Sequence, residues 1–411
     1  MRLLFLSSFY PPYDRGGLDQ LCHEVVTSLQ QRGHIVHVLT SRYGIQDRVE
    51  HDETAIRSLY LQAGINYYRM SAFFGQRRTQ EQANARELRQ AIERLAPDVI
   101  VIWNMWNLSR NLPYWAEQWM PGRVAYYIAA TWPTDPDIHL EYWQLSARRR
   151  LSEWVKRPMR ALALAQLRSE GYPPRLRFEH AMCISQFVYD TCVQARQLPA
   201  TAGVLYAGID PEPFLTHARG FDVLPANRLR LVYTGALIAM KGVHTAIEAL
   251  NLLKQRGYAE SVELTIIGSG HPAYETQLRS MVAQYQLEDR VCFAGPVTRA
   301  KIPECLSRFD VFLFTSIGPE ALGRSDMEAM AAGLLVIGAE AGGQVEILKN
   351  RQNALTFRAG DAAGLADQIE RVLADPALRV ELARRGQSTV LERFSLRRTI
   401  DDLESWLESL L

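Results

Sequence analysis

The chain has 411 residues, is 47% hydrophobic and 22% charged, and sets 46 lysines and arginines against 45 aspartates and glutamates for a net charge of +1. That length points to two domains, the apolar content suffices for packed cores, and the near-neutral balance excludes a polyanion such as nucleic acid as the expected partner. The five cysteines, Cys22, Cys183, Cys192, Cys292 and Cys305, form no Cys-x-x-Cys pair or zinc-ligand spacing, so reduced, buried thiols of a cytoplasmic protein are expected.

Met1 to Ser8 has the look of a short signal peptide, but its apolar part is brief and Pro11-Pro12 follows at once, so Leu3 to Leu6 reads as a first strand. No run of residues approaches the length of a membrane span. A loop with Gly16 and Gly17 leads into a helix from Leu18 to Arg32, with apolar spacing at Leu21, Val25 and Leu29, and Ile35 to Leu39 is the next strand. Strand, glycine-rich loop, helix and strand make the usual opening of a Rossmann-like sheet, but no Gly-x-Gly-x-x-Gly follows the first strand, which argues against an NAD-type dinucleotide site. Arg42 to Gln62 shows no clear period and is expected to be loop with a short helix, and Thr79 to Leu95 a polar surface helix. Val99 to Ile102 and Val124 to Ile128 are strands. Trp103 stands at the end of the first and Trp132, with His139 beyond, follows the second. Strand ends are where ligands bind in such sheets, so these three are weak candidates for an acceptor side, set against plain packing or solvation.

Glu141 to Arg177 is rich in arginine, including Arg148, Arg149, Arg150, Arg157 and Arg160, interleaved with Trp143, Leu151, Trp154 and Leu162. The pattern fits either a solvated helix or a basic face that touches an anionic membrane through Arg148 to Arg160, with Pro158 breaking it. His180 to Ile184 and Gly203 to Tyr206 read as strands, with a helix from Gln186 to Gln194 between them. The domain boundary is expected after residue 210.

The second half repeats the architecture without repeating the sequence. Leu229 to Tyr233 is a strand, followed by Thr234-Gly235-Ala236 and Lys241-Gly242 before a helix from Val243 to Gln255; a lysine at a glycine-bracketed strand-to-helix turn suits a phosphate, or is simply solvated. Val262 to Ile267 ends in Gly268-Ser269-Gly270. The densest passage runs from Val311: a buried strand to Phe314, a loop with Glu320-Ala321-Leu322-Gly323, a helix from Ser325 to Ala332, and a strand from Leu334 to Ile337. Glu320 and Glu328 flank the helix start, where free N–H groups and dipole favour an anion. Ser325-x-x-Glu328 is also a capping box, which alone accounts for Glu328. Leu365 to Leu373 and Ala377 to Leu391 read as helices, and a last helix starts near Leu396.

The Glu320-to-Glu328 spacing, with Gly323, the Glu328-Ala-Met-Ala run and Gly333, resembles the glutamate–seven–glutamate motif of the retaining GT-B enzymes of glycosyltransferase family 4, glycosyl transferases group 1. Pro11-Pro12 then Gly16-Gly17, Lys241-Gly242, Gly268-x-Gly270 and Gly342-Gly343 follow that family's order. The chain departs from it at Ala236, where the family has arginine, at Ala207 for asparagine, and at Trp132, where a histidine is common. The resemblance implies an α/β GT-B fold of two Rossmann-like domains with parallel sheets facing across a cleft. Residues 1–210 would form the acceptor-side domain, with 395–411 packing back on it, and 211–394 the nucleotide-sugar domain. It implies transfer from a nucleoside-diphosphate sugar to a hydroxyl of a sugar, lipid or small-molecule acceptor, with retention of configuration and no cofactor or metal. Such a reaction builds positive charge on the anomeric carbon and negative charge on the leaving diphosphate, and both need stabilising. Lys241 and the N–H groups near Leu322 and Gly323 would take the diphosphate, Glu328 the ribose, and Glu320 the sugar hydroxyls and the cationic face; Gly16, Gly17, Gly268 and Ala321 would border the donor. The alternatives are a nucleotide-sugar-binding protein with little activity, or a sugar-nucleotide epimerase.

Overall fold

The structure is a computed structural model that describes residues 1–45, 50–51, 53–65, 67–147, 150–218, 220–221 and 228–411. The chain divides into two units, Met1–Leu205 with Ile400–Leu411, and Tyr206–Thr399; the sequence reading set the divisions at 210 and 394.

The first unit carries β1 (Arg2–Ser7), β2 (Ile35–Ser41), β3 (Glu50–His51), β4 (Ala55–Leu59), β5 (Val99–Asn104), β6 (Val124–Ile128), β7 (His180–Cys183) and β8 (Gly203–Val204) in one sheet of order β3-β4-β2-β1-β5-β6-β7-β8. Every pairing is parallel except β3 against β4. Leu3 to Leu6 and Val99 to Ile102 are buried throughout, because helices cover both faces of a parallel sheet and a solvent-facing alternation has no place. The second unit carries β9 (Leu229–Thr234), β10 (Val262–Ile267), β11 (Val291–Gly295), β12 (Val311–Phe314), β13 (Leu335–Glu340) and β14 (Leu355–Arg358), parallel throughout in the order β11-β10-β9-β12-β13-β14. Its core joins Leu231, Leu264, Leu313 and Ile337 of the sheet to Ile247, Leu250 and Ile369 of the helices.

Four expectations are corrected. The stretch read as loop with a short helix contains β3 and β4. Arg57 and Ser58 lie buried in β4, with the Arg57 Nη2 donating to the Pro11 carbonyl at 2.6 Å, so a polar-looking segment is a core strand. Sequence patterning predicts no element between residues 348 and 365, where β14 pairs with β13. Pro158 does not break its helix, which runs Arg150–Ser169. Proline inside a helix costs about 3 kcal/mol, but this helix is anchored on either side of it. The buried Lys156 ammonium donates to the carbonyls of Tyr142 at 2.6 Å and Leu145 at 2.9 Å, and Ala163 and Leu167 enter a core with Phe73, Trp143 and Tyr172. Finally, Cys22, Cys183 and Cys192 are buried, but Cys292 is exposed and Cys305 half-buried. Arg148 and Arg149 lie outside the described residues.

Candidate active site

In the second sheet the chain leaves β9 for β10 and β11 on one side, then returns to β12, β13 and β14 on the other. The reversal falls between β9 and β12, and the carboxyl ends of strands at such a reversal are where open α/β sheets bind ligands. The segments leaving these two strands are laced together. Thr315 Oγ1 donates to the Lys241 carbonyl at 2.8 Å, and the N–H groups of Ile317 and Gly318 both donate to the Met240 carbonyl, at 2.9 and 3.2 Å. Gly242 makes this possible: it sits at φ 64, and a Cβ there would lie 2.1 Å from the Thr315 oxygen. Gly268, at φ 137, closes the neighbouring turn, where a Cβ would meet the Gly235 oxygen at 1.9 Å.

Lacing brings the two expected catalytic groups into contact. The Lys241 Nζ donates to Glu320 Oε1 at 2.6 Å, and Ser316 Oγ donates to the same oxygen at 2.7 Å. The loop holding Glu320 is fixed from behind, since Gly343 N–H donates to the Glu320 carbonyl at 2.7 Å. Leu322 is buried and Ala321 half-buried beside it. Ala236, exposed, brings no charge to the turn after β9.

The helix after this loop spans Ser325–Ala331, so Ser325 is its first residue; Arg324 stands at the N-cap and no side chain caps it. The capping box is therefore not formed. Instead Glu328, nearly buried, accepts from Arg299 Nη1 at 2.8 Å. Gly323 also departs from expectation. Its N–H donates to Gln344 Oε1 at 2.5 Å, so it is engaged with a side chain rather than presented to a diphosphate. A Cβ on Gly323 would lie 2.6 Å from that amide, which explains the glycine by packing. The Gln344 amide in turn donates to Asp326 Oδ2 at 2.5 Å. Asp326 is fully buried between Glu320 and Glu328, and burial pushes its carboxyl up to about 7 against the lowering effect of its own and the Met327 N–H groups. Arg299, Ser316, Asp326 and Gln344 were not legible as site residues. Asp326 alone left a trace, as a further acid in the first turn of the helix.

In the first unit the corresponding reversal lies between β1 and β5. Gly16 and Gly17 are exposed at the start of the Gly17–Gln31 helix there. A Cβ on Gly16 would meet nothing within 4 Å, so the protein's own packing does not require that glycine. Below them the buried Asp19 accepts from the Arg15 N–H and the Asn104 side chain, both at 2.9 Å, and burial raises its carboxyl above the usual range. Two acceptor-side candidates are corrected. Trp103 is 1% exposed, stacks on Tyr127 at 4.5 Å and donates to the Leu18 carbonyl, so it is core. His139 is buried among Tyr68, Phe73 and Tyr172, with its Nδ1 2.7 Å from the Tyr68 hydroxyl; burial lowers its pKa to about 3 and keeps it neutral. Trp132, half-buried, lines a cavity of about 360 Å³ at the ends of β5 and β6, together with Trp106, Arg110 and Asp135.

Two family profiles divide the chain: "Glycosyltransferase Family 4" matches residues 15–213 and "Glycosyl transferases group 1" residues 218–389. A lipopolysaccharide core biosynthesis glycosyltransferase of Rhizobium meliloti, LpsD, is 30% identical over 267 residues, covering 64% of this chain and 72% of that protein. The chain belongs to glycosyltransferase family 4. A D-inositol 3-phosphate glycosyltransferase of Pseudarthrobacter chlorophenolicus is 23% identical over 387 residues, 90% of this chain and 85% of that one. Among solved structures, HepE of Anabaena in complex with UDP superposes with a TM-score of 0.71 at 19% identity, covering 100% of both chains. Sucrose-phosphate synthase of Thermosynechococcus elongatus does so with 0.74 at 19% identity, covering 100% of this chain and 98% of its own. This family 4 member has the GT-B fold, and it is a glycosyltransferase.

Proposed function

We propose that this glycosyltransferase moves a sugar from a nucleoside-diphosphate sugar to an acceptor hydroxyl, with retention of anomeric configuration and without a metal ion or cofactor. The observation that carries the reading is the 2.6 Å contact between Lys241 and Glu320 at the carboxyl ends of two central strands. A cation and a carboxylate side by side suit a reaction in which a diphosphate gains negative charge while an anomeric carbon gains positive charge. Lys241 turns from Glu320 to the diphosphate when the donor binds. Glu320 is released to accept from sugar hydroxyls and to face the cationic carbon. Glu328, held by Arg299, accepts from the ribose hydroxyls. The acceptor proton passes to the leaving phosphate, so no protein base is required. Gly16, a glycine that no internal contact demands, leaves the backbone at the start of its helix open to close approach by a ligand.

UDP is the nucleotide to test first, since HepE is described in complex with UDP and with UDP-glucose. The relative named for lipopolysaccharide core biosynthesis favours a glycan or glycolipid acceptor. A peripheral membrane contact on a cytoplasmic protein fits such an acceptor. The Arg150–Ser169 helix exposes Trp154, Pro158, Ala161, Leu162 and Ala165 at helical spacing, with Trp154 83% exposed and Arg157 and Arg168 flanking them. No helix among the described residues is long and apolar enough to cross a membrane.

The test is proton NMR of a UDP-sugar incubated with enzyme, with and without candidate acceptors. Release of UDP with a product of the donor's anomeric configuration supports the reading. Conversion of the donor to another UDP-sugar without acceptor would make the protein an epimerase, and binding without any turnover would leave a nucleotide-sugar-binding protein.

A further inference from the structure

Beside the cavity at the ends of β5 and β6, across a wall formed by Arg110 and Trp132, lies a second recess of about 580 Å³. Its floor is apolar: Phe178 packs on Trp132 at 5.7 Å and on Tyr126 at 4.7 Å. Its rim carries Arg175, Arg177 and Arg196, all exposed, and no carboxylate is among the described residues that line it. None of these three guanidinium groups is in a salt bridge among the described residues.

The rim is built rather than loose. Glu117, a buried carboxylate, accepts from the backbone N–H of Arg177 at 2.9 and 3.1 Å, from that of Phe178 at 3.2 Å, and from the Tyr126 hydroxyl at 2.7 Å. Phe178 is held at φ 50, a conformation a bulky side chain rarely keeps without support from its surroundings. Arg110 pins the opposite wall, donating to the Trp132 carbonyl at 2.6 Å and to the Asp135 carbonyl. The indole Nε1 of Trp132 is buried without a hydrogen-bond partner among the described residues.

Three arginines line one recess with an aromatic and proline-lined floor, where apolar walls strengthen charge interactions and guanidinium forks match the oxygens of phosphate or carboxylate. We infer that this recess is an acceptor subsite that takes an anionic group, a phosphate or a carboxylate. The inference rests on the transferase reading above for the word acceptor, and on the recess itself for the anion. The acceptor reaches it past Arg110 and Trp132, with its reactive part in the cavity at the strand ends. This narrows the acceptor class to acidic or phosphorylated glycans and to lipids with a phosphate headgroup.

The experiment is calorimetric titration of the full chain with inorganic phosphate, glucose 6-phosphate, glucuronate and glucose, repeated on Arg175→Ala/Arg177→Ala/Arg196→Ala and on the triple lysine variant. The three side chains are exposed, so the variants fold, and an unchanged melting temperature verifies it. At least one anion is expected to bind ten times or more tightly than glucose, to lose that advantage in the alanine variant and to regain part of it with lysine. Sedimentation with phosphatidylglycerol vesicles, on the same variants, identifies the source: dependence on these arginines there, with weak sugar-phosphate binding, means a lipid headgroup, and the reverse means a soluble glycan. Equal binding of anions and glucose, or anion binding unaffected by the alanine variant, together with arginine-independent vesicle binding, overturns the inference. UDP titration of the same samples keeps the two readings apart, because UDP binding retained in the variant leaves the donor site standing whatever the recess does.

Discussion

Replacing Lys241 with alanine tests the donor site directly. The Lys241 ammonium and Glu320 carboxylate are 2.6 Å apart and both partly reach solvent, with side chains 29% and 18% exposed. A pair of that kind contributes about 0.2–1 kcal/mol to folding, so the melting temperature should fall by no more than about 4 °C in a domain of this size. Nucleotide binding should suffer more. The variant loses one charge-assisted contact to the diphosphate, worth about 1.5–3 kcal/mol, and leaves Glu320 as an uncompensated negative charge beside it. UDP affinity measured by calorimetry should therefore drop by about 10- to 150-fold, at 1.4 kcal/mol per factor of ten. Glu320→Gln offers an internal control. Alone it frees Lys241, so UDP affinity should hold or rise while turnover falls; added to Lys241→Ala it should recover part of the lost affinity. Unchanged UDP affinity in Lys241→Ala, or strictly additive effects in the pair, would refute the assignment.

Glu328→Gln should weaken UDP binding with little change in melting temperature, since no capping box depends on it; a large loss of stability with intact affinity would return Glu328 to a structural role. Gly242→Ala should destabilise by more than about 1 kcal/mol, because its positive φ and the Thr315 carbonyl exclude a Cβ, whereas Gly16→Ala should leave the thermal melt unchanged. Asp326 sets a pH dependence with a definite sign. Burial pushes its carboxyl up from the usual 3.8 to about 7, so the folded protein holds the extra proton and loses this contribution as pH rises from about 4 through 7. Asp326→Asn should flatten that part of the stability-against-pH curve in urea melts, and an identical slope in the variant would refute it. Anionic vesicles should sediment the protein in a salt-sensitive manner that Trp154→Ser reduces, while neutral vesicles should not; indifference to lipid charge would leave the Arg150–Ser169 helix a solvated surface.

The sequence by itself determined the features that are local in the chain. Apolar runs such as Leu3 to Leu6 and Val262 to Ile267 are strands because a parallel sheet buries both faces. Glycines at strand ends mark tight turns, and Glu320 with Glu328 marks the loop between β12 and its helix. What the sequence left open depended on partners far along the chain. Lys241 and Glu320 are 79 residues apart, and only the adjacency of β9 and β12 brings them together. Ser325 looked like a cap, but Glu328 took Arg299 as its partner, and the Gly323 N–H took Gln344. Arg57 passed for a loop residue because nothing local reveals that the Pro11 carbonyl will accept from it inside the sheet. Trp103 and His139 looked available for a ligand until the neighbouring elements closed over them. A polar or aromatic side chain carries the same local signal whether water, a ligand or a distant backbone group will satisfy it. The tertiary structure chooses among these, because the cost of burying a polar group depends on whether the fold delivers its partner.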